Sequence, residues 1–259
     1  MSSVTEVTKR VKQPKGGYLN LKDFECISLE DNLELAPIEN LSSVTVGVVV
    51  DYLTRYMLSK DADEAFKSSI KGIRRADEFG VPNALEKGYN LLSKIEDLSD
   101  TSICAACKLV VFDVFAKNPN WVRHNNEIVL RAPDEATIHN IRVMIQRNLK
   151  FFEEYGPITK DGFTFGPNGY TDTVDYGEGD FLTKDTLWDC KVSKNSPTSR
   201  HTLQILMYYI MGKHSGKEYY NNITKIGMFN PRLNKIWVLD TNKISDDIIK
   251  TIEYEVICY

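Results

Sequence analysis

Two aspartates and a lysine lie close together in the segment from Gly177 to Val192. If Lys184-Asp185 forms a two-residue turn, the flanking strand residues pair when their numbers sum to 369, which places Asp180 opposite Asp189. Carboxylates in directly opposed positions repel one another and destabilise a sheet. Because carboxylate oxygens are the ligands that Mg²⁺ and Mn²⁺ prefer, the hairpin predicts a divalent-metal site.

Lys191 completes this group. Side chains alternate along a strand, so Lys191 shares a face with Asp189, and Leu182 and Leu187 lie on the same face. A divalent ion beside a lysine can hydrolyse a phosphodiester, since the ion activates water and the lysine orients it or stabilises developing charge. The competing interpretation is a solvent-facing Asp-x-Lys ion pair without catalytic function, a short pattern that recurs by accident.

The second half of the chain predicts an α/β architecture. A helix is predicted from the N-cap Asp134 to Tyr155, ended by Gly156-Pro157. The periodicity then predicts strands over 162–176, 179–183 and 186–192, a helix over 201–211, strands over 223–229 and 235–239, and a last helix from about Ser245. This order of elements predicts a mixed sheet flanked by helices.

The first half of the chain predicts mostly helix. Helices are expected over 46–58 and near 62–76, 83–97 and 101–116. We therefore divide the chain into a helical region, 1–130, and an α/β region, 131–259. The segment Lys9 to Lys15 is expected to be a disordered basic arm that assists DNA binding.

The hairpin resembles the signature of the PD-(D/E)XK nuclease superfamily. The residues that carry the resemblance are Gly179-Asp180-Phe181-Leu182-Thr183 and Thr186-Leu187-Trp188-Asp189-Cys190-Lys191-Val192-Ser193-Lys194. Asp180 matches the first acid, Asp189 the second and Lys191 the lysine. Gly179 stands where the family name has proline, a replacement that the family often shows.

The following helix resembles the Gln-xxx-Tyr helix of the RecB-type and lambda-exonuclease-like branch. In the run from Arg200 to Tyr209, Gln204 matches the glutamine and Tyr208 the tyrosine, and residues four apart share a helix face. The resemblance implies a restriction-endonuclease-like αβββαβ core over about 134–240. It implies nothing for residues 1–130, and we expect this helical region to shape the DNA cleft.

The resemblance implies a Mg²⁺- or Mn²⁺-dependent deoxyribonuclease. Asp180 and Asp189 would hold the metal ion, Lys191 would orient water, and Gln204 would position substrate or water; a structural role for this buried amide is an open alternative. The residues expected to contact DNA are Lys194, Arg200, His201 and Tyr208, with Ser193 beside them. For His201 and Tyr208, structural roles at the helix start and in the core also remain open.

Several assignments stay open at this point. An additional acidic ligand could come from Glu135, Glu153, Glu154 or Glu178, and Asp172 or Asp175 could replace Asp180 if the turn is misassigned. The pair Cys104-x-x-Cys107 could belong to an iron–sulfur cluster, but four thiolates are needed and the remaining cysteines are scattered, so two core cysteines are expected.

Composition limits the classes of protein. The chain has 259 residues, 42% hydrophobic and 26% charged, as expected for an ordinary globular protein. The net charge is −4, yet residues 182–239 contain nine Lys or Arg against three acidic residues, which favours a polyanion partner for this segment. Alternatives are a non-cleaving nucleic-acid-binding or assembly protein on the same fold, and a nuclease that acts on RNA.

Location and biological role are less constrained. An odd count of five cysteines, no secretory signal and no apolar run long enough for a bilayer favour a cytoplasmic protein. Endonuclease or exonuclease mode, strand preference and oligomeric state remain open. Repair, phage defence and phage replication are all compatible with the sequence.

Overall fold

The computed structural model describes residues 2–117, 129–166 and 170–259. The chain forms two units: a helical unit, Asn32–Lys150, and a sheet unit composed of Met1–Asp31 and Phe151–Tyr259. The division differs from the boundary at residue 130 expected from the sequence. The first 31 residues belong to the sheet unit because they supply one strand of its sheet and a helix packed on it.

The described helices and strands follow in chain order. The helices are α1 (Val4–Arg10), α2 (Ser43–Ser59), α3 (Ala62–Ala65), α4 (Lys67–Glu78), α5 (Ala84–Leu92), α6 (Asp100–Leu109), α7 (Asp113–Lys117), α8 (Glu135–Tyr155), α9 (Ser199–His214) and α10 (Asp246–Thr251). The strands are β1 (Glu25–Ser28), β2 (Lys160–Phe165), β3 (Gly177–Leu182), β4 (Thr186–Cys190), β5 (Lys225–Asn230) and β6 (Lys235–Asp240). A π-helical turn, Ile252–Ile257, follows α10.

The helical unit confirms the predicted helical character of this part of the chain. Its helices bury apolar faces, and α4 approaches a 3₁₀ turn at Val110–Phe112 so closely that a Cβ at Gly72 would lie 2.0 Å from the Phe112 carbonyl oxygen. That 3₁₀ turn divides the single helix expected near 101–116 into α6 and α7. The close approach explains why glycine is needed at position 72.

The sheet unit contains a six-stranded mixed sheet in the order β1-β6-β5-β4-β3-β2. Only β4 and β5 are parallel among the described pairs, and α9 forms the crossover between them. The order helix, three strands, helix, two strands and helix, predicted from residue 134 onward, is confirmed. The molecule is therefore α/β, with a mixed sheet flanked by helices.

Two apolar clusters sandwich the sheet. One contains residues of α9 and the side chains of Leu182 and Leu187. The other is built around Phe151, which stacks on Phe229 and meets the Trp188 ring edge to face, with centroid distances of 4.3 and 4.9 Å. Because both faces are covered, the two central strands are almost entirely buried.

Three expectations for the sheet unit need correction. The arm expected to be disordered begins inside α1, whose Val4 and Val7 are buried and whose last residues include Lys9. Strand β1 was not predicted. It pairs with β6, and its side chains are too exposed to give a clear alternation of buried and exposed positions. The first strand of the meander ends at Phe165 instead of continuing to residue 176, and residues 167–169 lie outside the described residues.

The segment from Tyr170 to Val174, which was expected to continue the strand, makes its hydrogen bonds outside the sheet. The N–H groups of Tyr170 and Thr171 donate to the carbonyl of Val174, and the hydroxyl of Thr173 donates to carbonyls of the C-terminal π-turn. These polar groups are thus satisfied outside the sheet. No helix in the described part of the chain is long and apolar enough to cross a membrane.

Candidate active site

The hairpin of β3 and β4 has the predicted register. Phe181 pairs with Trp188 and Leu182 with Leu187, so paired numbers sum to 369, and the Thr183 N–H donates to the Thr186 carbonyl across the turn at 3.0 Å. The indole Nε1 of Trp188 donates to the hydroxyl of Thr183 at 3.0 Å. The two-residue turn is therefore closed by backbone and side-chain hydrogen bonds.

Asp180 is held in a way that the pairing rule did not predict. The regular ladder between β3 and β4 ends at Phe181 and Trp188, one position before the expected pair of acids. The carboxylate Oδ2 of Asp180 instead accepts a hydrogen bond from the Cys190 N–H at 2.6 Å. A main-chain donor thereby orients Asp180 beside the strand that carries the second acid.

Asp189 is the most buried charged group of the hairpin. Its side chain is 3% exposed, and Oδ1 lies 2.9 Å from Nζ of Lys191, whose side chain is 27% exposed. The second oxygen, Oδ2, is buried and has no hydrogen-bond partner among the described residues. Buried carboxylate oxygens are normally satisfied, so this atom is a candidate position for an additional ligand.

The electrostatics follow from this burial. Burial raises the pKa of Asp189 to about 6; the Lys191 ammonium opposes the rise, and the Asp180 carboxylate adds to it. Burial alone would lower the pKa of Lys191, but Asp189 and Asp180 outweigh it and hold that pKa above its ordinary value. Lys191 therefore stays charged at neutral pH, and two carboxylates share one ammonium.

Helix α9 brings Gln204 and Tyr208 to the same face of the sheet. Gln204 Nε2 donates to the Tyr208 hydroxyl and to Oγ1 of Thr5 on α1, both at 3.1 Å. Burial raises the pKa of Tyr208, the Gln204 bond lowers it, and the charges of Asp189, Lys191 and Asp180 also act on it. Tyr208 therefore lies close enough to the hairpin acids for their charges to affect its pKa. The two hydrogen bonds of Nε2 also give the buried amide of Gln204 the partners that it requires.

Thr5 was not identified from the sequence. It lies on the exposed side of a short N-terminal helix and almost two hundred residues from Gln204, so no local pattern could connect them. Val4 and Gly177 pack against Tyr208 in the same region; a Cβ at Gly177 would lie 3.2 Å from the Tyr208 ring. The N-terminal helix therefore forms one wall of the site.

Of the residues expected to contact DNA, Lys194 lies in the loop between β4 and α9 with Ser193 beside it, and Arg200 lies in the first turn of α9. Lys194 and Arg200 are exposed. The amide of buried Asn230, at the end of β5, donates to the carbonyl of Ser193 at 2.8 Å and so fixes the start of this loop. Asn230 was also missed, because an Asn before Pro231 is read from the sequence as part of a turn.

His201 has a structural role at the start of α9. Its Nδ1 accepts a hydrogen bond from the Thr198 N–H at 3.0 Å, and the pair forms a capping arrangement. Burial and the neighbouring charges of Lys191 and Arg200 lower the pKa of His201, which favours the neutral ring that this bond requires. The imidazole therefore helps to fix the helix that carries Gln204.

The structure does not identify an additional acidic ligand. The four glutamates considered from the sequence are exposed: Glu135, Glu153, Glu154 and Glu178. Asp172 is exposed as well, and Asp175 accepts a hydrogen bond from the Ser2 N–H, which leaves Asp180 as the partner of Asp189. No group of three or more His, Cys, Asp or Glu residues positioned to hold a metal ion occurs among the described residues.

The cysteines do not suggest a metal centre. All five are free thiols, and Cys107 is buried in α6, where burial raises its pKa to about 12. An iron–sulfur cluster needs four thiolates, and no group of three or more potential ligands that includes Cys104 and Cys107 occurs among the described residues. Cys104 and Cys107 therefore fit the expected role of small core residues.

A divalent ion fits the donor atoms of the hairpin. Mg²⁺ commonly takes only one or two protein carboxylates and keeps several water molecules. Asp180 and the unpartnered Oδ2 of Asp189 supply this minimal set of hard oxygen ligands. No protein-family model, curated protein or solved structure matches the chain.

Proposed function

We propose that the protein is a Mg²⁺- or Mn²⁺-dependent nuclease that hydrolyses DNA phosphodiester bonds in the cytoplasm. The observation that carries the proposal is the buried carboxylate of Asp189, with one oxygen on Lys191 and the other without a partner beside Asp180. A core of the PD-(D/E)XK type, with the RecB-like Gln-xxx-Tyr helix, is part of the same proposal. It is supported by the hairpin register and by the Gln204–Tyr208 hydrogen bond.

The side chains of the hairpin have distinct tasks in this reaction. Asp180 and Asp189 would hold a divalent ion, which would polarise a phosphoryl oxygen and lower the pKa of a coordinated water molecule. Lys191 remains protonated and is exposed enough to reach solvent, so it can hold the attacking water or stabilise charge on the phosphoryl oxygens. Tyr208, oriented by Gln204, borders the same space.

The site should cleave DNA only when both its acids and the ion are present. We expect Mn²⁺ or Mg²⁺ to support cleavage of plasmid and linear DNA, and Asp189→Asn and Lys191→Met to abolish it. Asp185→Asn is the matched control, because Asp185 lies in the same hairpin but pairs with Lys225 at the surface. Circular dichroism must show that every variant is folded.

Metal binding gives a readout that does not depend on turnover. Mn²⁺ should raise the melting temperature of the wild type and of Asp185→Asn, and leave Asp189→Asn unchanged, because an ion that binds only the folded state stabilises it. Full activity in folded Asp189→Asn, or a Mn²⁺ response equal in both aspartate variants, contradicts the proposal. Parallel DNA and RNA substrates distinguish a deoxyribonuclease from a ribonuclease.

A second candidate is a non-cleaving nucleic-acid-binding protein on the same fold. One observation favours it: among the residues that the structure describes, only two carboxylates converge at the hairpin, and an ammonium already neutralises one oxygen of Asp189. Such a protein would bind DNA with strong salt dependence, and a chelator would not change its affinity. Chelator-sensitive cleavage by the wild type excludes this candidate.

A further inference from the structure

The helical unit has a cationic cleft between α4 and α5. Its volume is about 740 Å³, and its lining includes Lys67, Lys71, Arg74, Arg75 and Tyr89. The first three of these basic residues are exposed and follow one another at spacings of four and three along α4. That spacing places them on one face of the helix, over a length of about 10 Å at ~1.5 Å per residue.

The charges in this row are incompletely neutralised. Lys67 pairs with Glu64, whereas Lys71 and Arg74 form no ion pair with any of the residues described. Like charges three and four residues apart on a helix repel one another. A negatively charged ligand in the cleft would relieve this repulsion. The lining also contains Asp63, whose charge acts on Arg74, and Glu78, so four basic residues face two acidic ones.

Tyr89 adds an aromatic surface to the cationic row. It is 39% exposed, and its hydroxyl accepts a hydrogen bond from Arg74 Nε at 3.4 Å. The preceding residue, Gly88, lets α5 approach α4 closely, since a Cβ there would lie 2.4 Å from Ile73. Tyr89 is therefore held at the wall of the cleft by a rigid helix contact, with part of its surface open to solvent.

We propose that this cleft binds single-stranded DNA, with phosphates against Lys67, Lys71 and Arg74 and a base against Tyr89. Single-strand binding sites combine a positive groove for the backbone with an aromatic platform for bases. The inference rests on the proposed function, for which it supplies a surface that holds the substrate strand. The acidic net charge of the whole chain makes such a local cationic surface necessary for binding a polyanion.

The test measures binding of a labelled oligothymidylate to the full chain by fluorescence anisotropy, with EDTA present so that cleavage does not occur. We expect the triple variant Lys67→Ala, Lys71→Ala, Arg74→Ala to bind at least about tenfold more weakly at low salt. The slope of log affinity against log salt should fall by about 2, since each lost phosphate contact in a single strand contributes about 0.7. The alanines favour helix, so the fold should be retained.

A matched control removes three other exposed lysines of the helical unit, Lys87, Lys94 and Lys150, and so changes the net charge equally. Its salt slope should stay close to that of the wild type. A second comparison tests stacking: Tyr89→Ala should weaken binding about fivefold or more, and Tyr89→Phe should bind normally. Equal losses in the two triple variants, or no effect of Tyr89→Ala, overturn the inference.

The results of these experiments distinguish a failure of the cleft inference from a failure of the proposed nuclease function. If the wild type cleaves DNA and the cleft variants retain its KM and its affinity, the cleft inference fails and the nuclease stands. If the cleft variants lose affinity while no divalent ion supports cleavage, the inference stands and the nuclease fails. A labelled duplex of the same length provides the final check, because tighter binding of duplex than of single strand contradicts a stacking site.

Discussion

The buried carboxylate of the hairpin should control how the stability of the metal-free protein depends on pH. The perturbation is Asp189→Asn, which keeps the size of the side chain and removes its titration. Burial raises the pKa of Asp189 from its ordinary value of 3.8 to about 6, with Lys191 opposing and Asp180 adding to the rise. Compared with the unfolded chain, the folded state therefore favours the protonated carboxyl of Asp189.

The sign and size of the effect follow from this shift. A carboxyl whose pKa is raised by folding contributes stability that is fully present below about pH 4 and is lost as the pH rises through about 6. One pKa unit corresponds to about 1.4 kcal/mol, so the rise costs about 3 kcal/mol in the free energy of unfolding at neutral pH. Asp189→Asn avoids this loss. Relative to the wild type, the variant should gain about 3 kcal/mol between about pH 3 and about pH 8.

Urea unfolding in EDTA, followed by circular dichroism at several pH values, measures this difference. Comparing the two proteins at each pH removes contributions from groups that are distant from the hairpin acids and Lys191, since those contributions are common to both. Asp185→Asn again serves as the control. Its partner Lys225 is at the surface, and exposed ion pairs contribute less than about 1 kcal/mol.

Parallel stability curves for the wild type and Asp189→Asn would refute the reasoning. They would mean that the Asp189 carboxylate ionises in the folded protein without an energetic penalty. The unpartnered oxygen would then have to be solvated or paired in solution, and it would no longer mark a position for a divalent ion.

Three further predictions concern neighbouring parts of the sheet unit. Lys191→Met leaves a buried carboxylate without its ammonium and should destabilise the protein by about 3–5 kcal/mol at neutral pH in urea unfolding, and by less at lower pH, where that carboxyl binds a proton. Thr5→Val removes one hydrogen bond to Gln204; it should lower stability by about 1 kcal/mol or less and reduce kcat more than KM in steady-state cleavage. Gly227→Ala places a Cβ 2.3 Å from the Trp188 ring and should cost about 1–3 kcal/mol, and unchanged thermal unfolding would show that the ring can move aside.

The hairpin could be predicted because its determinants are local. A two-residue turn sets the register of both strands, and the register then decides which side chains share a face. The ladder pairs of Phe181 and Leu182 confirm that reasoning, as does the contact between Asp189 and Lys191. Helix α8 was predictable for a similar reason, since its cap and its apolar stripe lie within one continuous segment.

Other parts of the site depend on contacts between distant segments. The N–H of Cys190 takes the Asp180 carboxylate because the ladder ends one position early, and nothing in the local pattern specifies that end. Thr5 reaches Gln204 only because α1 packs on α9. Strand β1 is defined by its pairing with β6, since its own residues are mostly exposed.

The amino-acid sequence by itself determined the period of each segment, the turn of the hairpin and the face on which Asp189 and Lys191 lie, because these follow from chain geometry over a few residues. Tertiary structure decided how deeply Asp189 is buried, which of its oxygens lacks a partner and which segments enclose it. Burial is a property of everything packed around a residue, and the segments around this carboxylate come from both ends of the chain.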